Sequence, residues 1–286
     1  MACWIVGVVM RKAVVAILKV GMGLWLAAMV FPTARAETTY TFSVAPQFER
    51  RVLFSIWQPI IDEVQKRTGL RFDLVTSLSV GEYDSDVTKG AYDFVYINPY
   101  LMPAIEKNPG YVPLVRDSKP LHGILVVRGD SPAKRVEDLQ GKSLAVPSMS
   151  ALGASLLLRA ELDRQFGVRM KPVIAKTHSS VFLHVINGLT DAGGSVQKAL
   201  SEQDPRVRES LRVLHRTRDV PSHPIAAHKR VPAEVREQVR QAFLDMSATQ
   251  AGRDMLDNVP MREAIRARPE DYHVLKNLRL DNYLND

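Results

Sequence analysis

Residues Lys142–Arg159 read KSLAVPSMSALGASLLLR. Ser143–Val146 is a short apolar run that Pro147 stops. Small residues follow, then an apolar helical pattern that runs on to Phe166 and closes at Gly167. A strand feeding a helix through a small-residue turn is the repeating unit of an α/β sheet. A helix start carries unpaired N–H groups and partial positive charge. Ser148 or Ser150 can cap this one, and Ala151, Gly153 and Ala154 leave room for an anion to approach the backbone. Ordinary capping and close helix packing explain the same residues, and on residue chemistry alone they rank first. No Gly-Lys-Ser/Thr follows, so this is not a nucleotide phosphate loop, and there is no dinucleotide fingerprint.

The same unit recurs on both sides. Upstream, TYTFSVA (39–45), FDLVTS (72–77), YDFVYI (92–97), YVPLVRD (111–117) and HGILVVR (122–128) read as strands. Between them lie the helical patterns 52–69, with Pro59 expected to kink or divide it, 81–90 and a segment opened by Asn98-Pro99. Downstream, the short VEDLQG helix precedes the SLAVPS strand. The strands MKPVIAKTH (170–178), DAGGSV (191–196) and LRVLHRTR (211–218) then follow, with the helix SVFLHVINGL (180–189) between the first two. The chain finishes in helices from PAEV (232–235) onward. This rhythm predicts parallel sheets covered on both faces. Two blocks and a return segment predict two lobes, 37–125 plus 224–286 and 126–221, with hinges near Gly123–Val127 and Val220–Ala226.

In such sheets ligands bind beyond the C-terminal strand ends. That singles out Pro46 and Gln47, Tyr96, Ser150 to Gly153 (Ser150, Ala151, Leu152, Gly153), His178, Ser179 and Ser195. His178 stands in THSS before a helix, with Ser179 or Ser180 as the expected cap. A surface histidine bonded to backbone is the plainer reading. Tyr96 is a core candidate whose O–H needs a partner. Asn98 reads as a helix cap. Asp62-Glu63 and Asp84/Asp86 read as solvated helix faces. No Ser-His-Asp spacing, HExxH or ligand-spaced cluster stands out among the seven histidines, so the chain reads as neither an enzyme nor a metal protein, and it calls for no cofactor.

The first 36 residues read as a cleavable signal peptide. Arg11 and Lys12 precede an apolar core, and Ala34 and Ala36 take the small-residue positions before a cut after Ala36. Met10 makes a more usual start than Met1. A membrane anchor is the competing reading, which the ARA site disfavours. The net charge is +7 from 38 basic and 31 acidic residues. The leader holds four of the basic and none of the acidic residues, so the remaining 250 carry +3 with no Lys/Arg block. Nothing points to nucleic acid. The single cysteine, Cys3, is in the leader. An exported chain without disulfides suits a bacterial periplasm.

Three segments together, GAYDFVYINPY (90–100), SKPLHGILVVRGDSPAKRVEDLQGKSLAVPS (118–148) and THSSVFLHVINGLTDAGGSV (177–196), resemble the phosphate/phosphite/phosphonate-type periplasmic substrate-binding proteins of ABC transporters. SIWQPIIDEVQKRTG (55–69) resembles that family's first helix, and the likeness runs from about Tyr40 to about Leu244. The resemblance implies a two-lobe type II periplasmic-binding-protein fold with two hinge crossovers, closing on a small anionic ligand. It places the family's binding Tyr on Tyr96 and its His on His178. The family's Ser-Thr-Ser-Gly stretch falls on Ala151-Leu152-Gly153-Ala154, where every hydroxyl is lost. Its acid falls near Ser195-Val196, where none stands. The implied protein is a monomer that hands its ligand to an ABC permease. A membrane sensor kinase is the alternative partner, and an enzyme on the same fold ranks third.

Overall fold

The computed structural model describes residues 38–46 and 50–284. The expected leader and Gln47 lie outside the described residues. Among these residues no helix is long and apolar enough to cross a membrane.

The fold is a two-lobe α/β fold built on two sheets. Strands β1 (Thr39–Val44), β2 (Arg71–Val75), β3 (Phe94–Tyr96), β4 (Tyr111–Asp117), β10 (Ile225–His228) and β11 (Ala264–Arg266) form the first, in the order β11-β4-β10-β3-β1-β2. Strands β5 (Gly123–Arg128), β6 (Ser143–Val146), β7 (Lys171–Ile174), β8 (Ala192–Val196) and β9 (Leu211–Arg216) form the second, in the order β7-β6-β8-β5-β9.

The period-2 alternation of each strand sorts its side chains between two layers. In the first lobe Phe42, Phe94 and Tyr96 join Leu53, Trp57, Ile60, Ile61 and Val64 of α1 (Arg50–Thr68) and Phe243 of α8 (Ala233–Ala248). Val95 and Ile97 join the opposite layer, with Tyr83 of α2 (Val80–Thr88), Met102 of α3 (Met102–Ile105) and Tyr272 of α10 (Pro269–Asn277). In the second lobe Leu125 and Val127 pack with Leu158 and Leu162 of α4 (Leu158–Phe166). Ile124 and Val126 pack on Phe182 and Val185 of α5 (His178–Ile186). Helix α1 runs through Pro59 undivided.

The sheets are mixed, not parallel as the strand–helix rhythm suggested. β1 pairs in parallel with β2 and β3, and β6 with β7 and β8. β10 runs antiparallel to β3 and β4, and β5 antiparallel to β8 and β9. The reason is connectivity. β5 and β10 are the strands that follow a crossing between sheets, so they enter at the end where their neighbours leave. The two crossings run through residues 118–122 and 217–224, and the first therefore precedes Gly123–Val127, which lies inside β5. Leu121 and Val220 tie the crossings together as an isolated antiparallel bridge, with N–H to carbonyl distances of 2.8 and 2.9 Å.

The C-terminal segment, Leu278–Tyr283, is bonded to α4. Arg159 donates to the Tyr283 carbonyl (2.6 Å), Arg164 to the Leu278 and Arg279 carbonyls (2.5 and 2.9 Å), and Tyr283 Oη to Asp163 (2.8 Å). Both guanidiniums also face the Tyr283 ring, at 5.9 and 5.3 Å from its centroid.

Candidate functional site

The stretch after β6 opens as a π-helical turn, Leu152–Leu157, before α4 begins. The Ala151 carbonyl accepts from both Ser155 and Leu156 N–H, at 2.9 and 3.0 Å, which widens the first turn. No side chain caps it, so neither Ser148 nor Ser150 takes the expected role. Its small residues are there for contact. A Cβ on Gly123 of β5 would lie 2.0 Å from the Gly153 carbonyl oxygen. A Cβ on Gly194 of β8 would lie 2.1 Å from that of Ala154. The turn is pressed backbone to backbone onto both strands. Its other face, Leu152, Leu156 and Leu157, is buried in the apolar layer of the first lobe with Ile97, Tyr272 and Tyr283.

That docking brings the two lobes together at the strand ends. Asn98 Nδ2 donates to the Ser150 carbonyl at 2.7 Å, while Asn98 Oδ1 accepts from Tyr100 N–H at 3.1 Å. So Asn98 is both a cap and a bridge between lobes. Pro46 is half-buried at the end of β1.

Tyr96 ends β3 fully inside the protein, 2 % exposed. Its ring lies 4.8 Å from Trp57 and stacks on His223 at 5.5 Å and 23°. Its hydroxyl is buried without a hydrogen-bond partner. Burial pushes this phenol far up, and Asp117 adds to the effect.

On the facing lobe Thr177, not Ser179 or Ser180, caps α5: its side chain accepts from Ser180 N–H at 3.1 Å. His178 is therefore the first helical residue, and Ser179 is exposed. His178 Nδ1 lies 2.8 Å from Oγ of the buried Ser195 on β8. This bond fixes the ring and leaves Nε2 for another partner. Burial lowers His178 to about 4. His223 is likewise lowered to about 4, by burial and then by His178 itself. Both imidazoles are neutral near pH 7. Among the described residues, Ser195 is the hydrogen-bond partner of His178 and no carboxylate is bonded to its ring. Among the described residues no group of three or more His, Cys, Asp or Glu is placed to hold a metal.

Tyr96 thus meets His223, which the sequence does not single out, and His178 meets Ser195, with His178 also lowering the pKa of His223; Asn98 joins Ser150. Leu152 and Gly153 serve the packing of the turn. His223 sits between two prolines in PSHP, with no periodic signal. Its one clue was its place on the second crossing, which must border the space between lobes. Asp84 is also not the solvated helix residue expected: burial raises it to about 6.

Residues 42–272 match the periplasmic substrate-binding proteins of phosphonate ABC transporters. The chain belongs to that family. Solved structures show the same fold at low identity. The binding protein component of an ABC phosphonate transporter from Pseudomonas aeruginosa superposes with a TM-score of 0.73 at 13% identity, over 87% of this chain and 89% of that one. A Prochlorococcus marinus protein in complex with methylphosphonate gives 0.73 at 13%, over 84% and 96%. A Xanthomonas citri protein bound to ATP gives 0.69 at 18%, over 86% and 98%. Like other members of the family, the protein has the fold of a solute-binding component that works outside the cytoplasm beside a membrane partner.

Proposed function

We propose that the protein, cleaved after Ala36 and released into the periplasm, captures a small anion between its lobes and delivers it to an ABC permease. In this reading residues 37–125 with 224–286 and residues 126–221 are the two bodies that close on the ligand. Tyr96, His178 and Ser195 contact it, with Ser150 and Ala151 at the rim. The protein binds and does not catalyse.

The observation that carries this is the Tyr96 hydroxyl. A buried O–H without a partner costs about 1–3 kcal/mol, and such groups are rare enough in native proteins to need a reason. Here the orphan lies at the end of β3, on a ring stacked against the neutral imidazole of His223. A phosphonate, a carboxylate or a sulfonate offers the acceptor it lacks. The absent hydroxyls at Ala151–Ala154 leave inorganic phosphate fewer donors than a hydroxyl-rich stretch would.

A thermal-shift panel of the chain from Glu37 tests this with phosphate, methylphosphonate, methanesulfonate and small carboxylates. A ligand at a hundredfold excess over its dissociation constant stabilises the folded state by about 2.7 kcal/mol. That amounts to a rise of roughly 5–10 °C for a chain of this size. A panel in which no anion raises the melting temperature contradicts the reading.

A further inference from the structure

Lys198 joins residues 126–221 to residues 224–286 outside both crossings. It stands on α6 (Gln197–Ser201), the short helix that follows β8. Its ammonium donates to the Asp257 carbonyl at 2.6 Å and to the Asp257 carboxylate at 2.8 Å. Asp257 caps the C-terminus of α9 (Gln250–Leu256). A helix end leaves carbonyls unpaired and carries partial negative charge, so a lysine fits there by charge and by hydrogen bonding.

The packing layers show where this contact lies. Leu256, one residue before Asp257, is buried in the layer of Tyr96 and Trp57. Leu200, two residues after Lys198, is buried with Phe182 of α5, the helix that begins at His178. The contact therefore lies on the same sheet faces as Tyr96 and α5. The bonds between Leu278–Tyr283 and α4 lie on the opposite faces. There Leu278, Leu280 and Tyr283 are buried with Val95 and Ile97, and Leu158 and Leu162 with Leu125 and Val127.

The two joints differ in what parting them costs. Arg159 of α4 is buried, and parting that joint would take away the Tyr283 carbonyl it donates to and pull Leu152, Leu156 and Leu157 from an apolar layer. Lys198 and Asp257 are partly exposed, and each has a second ion partner on its own side. Glu202, one helical turn on, lies 3.3 Å from Lys198. Arg262 lies 3.3 Å from Asp257 and 3.2 Å from Asp254. When Lys198 and Asp257 separate, each keeps a counter-charge, so neither is stranded. One joint is a seam, and the other can open and reclose.

We propose that Lys198 and Asp257 form a latch that holds the two bodies closed on the Tyr96 and α5 side, while the seam at α4 stays shut. The proposal rests on the two-body reading above. Anything held between the bodies leaves only after this pair parts, so the latch sets how long the closed state lasts. Because the pair is partly exposed, salt weakens it.

Distances between two spin labels test this without any ligand. The chain from Glu37 has no cysteine. Glu209→Cys on α7 (Pro205–Glu209) and Glu234→Cys on α8 therefore give one exposed label on each body. Their neighbours Val207 and Val235 pack in the layers that carry the latch, so opening on that side changes the distance between the labels. At low salt the wild type should give mainly one short distance. Lys198→Met keeps the aliphatic stem and loses the charge. It should raise the ratio of long to short distances roughly five- to tenfold. Asp257→Asn keeps the carbonyl acceptor and should raise the ratio less. Salt at about 1 M, where screening acts within about 3 Å, should raise the ratio in the wild type and leave Lys198→Met unchanged. Wild-type distances in both variants, with both folded by melting temperature, overturn the latch. A wild type whose main distance is already the long one at low salt also overturns it. Neither result touches anion capture, which the thermal-shift panel tests separately.

Discussion

Gly123→Ala is the substitution that asks most directly whether the helix start is pressed onto the second sheet. Its new Cβ would lie 2.0 Å from the Gly153 carbonyl oxygen and 2.8 Å from that carbonyl carbon. Ordinary non-bonded contacts lie near 3.5 Å, so the two backbones must part by about 1 Å or more. Neither atom belongs to a flexible side chain. Gly123 N–H is already held by Thr217 Oγ1 at 2.8 Å, and its carbonyl by Thr217 N–H at 3.0 Å, so the strand cannot yield cheaply. Overpacking costs about 1–3 kcal/mol in cores, and this rigid contact belongs at the upper end. For a chain of this size that is a fall of roughly 6–12 °C in melting temperature. Gly81→Ala is the matched control. It lies in α2, has nothing within 4 Å of the new Cβ, and should gain about 0.4–1 kcal/mol, a rise of a few degrees. Thermal unfolding followed by circular dichroism reads both. A Gly123→Ala protein that melts within about 2 °C of wild type refutes the account of why this stretch is small.

Tyr283→Ala removes the centre of the C-terminal contact with α4 and should cost about 3–5 kcal/mol, as for other buried aromatics. Tyr283→Phe loses only the bond to Asp163 and should cost about 1.5–3 kcal/mol; equal effects in chemical denaturation would contradict that contact as described. His178 and His223 have folded pKa values depressed to about 4, below the unfolded 6.5. Their contribution is present above pH 6.5 and lost as pH falls from there toward 4, so the ligand-free protein should lose stability across that window, and the double His178→Asn, His223→Asn variant should lose less. Asp84 behaves oppositely. Its folded pKa is raised to about 6, so its ionisation destabilises the fold as pH rises through that value. Asp84→Asn should raise the melting temperature at pH 8 and have no such effect near pH 3.5; a gain equal at both would show that the carboxylate is not the cause.

Much of the fold could be read from local pattern, because period and punctuation are local. YDFVYI and GILVVR alternate as their strands do, and Gly167 closes α4 in the left-handed conformation, at φ 65°. Strand direction was not local. Nothing in GILVVR or IAAH says that the strand follows a crossing and enters its sheet from the shared end. The three-residue β11 and the short helices α6 (Gln197–Ser201) and α7 (Pro205–Glu209) are too brief to show a period. Caps were misplaced by one to three residues where several small hydroxyls compete, as in THSS. In the site, Tyr96 and His178 stood out because strand ends are where ligands bind, and the family likeness fell on the same residues. His223 did not, since its role comes only from the ring it covers.

The central claim is that the buried Tyr96 hydroxyl awaits an anion between the lobes. The decisive comparison is wild type against Tyr96→Phe, by thermal shift without ligand and with the best anion of the panel. The account predicts a ligand-free variant at least as stable as wild type, because an unpartnered buried hydroxyl has been removed, and a ligand-induced rise that is largely lost. A variant that is destabilised without ligand, or that gains as much from the anion as wild type does, would contradict it.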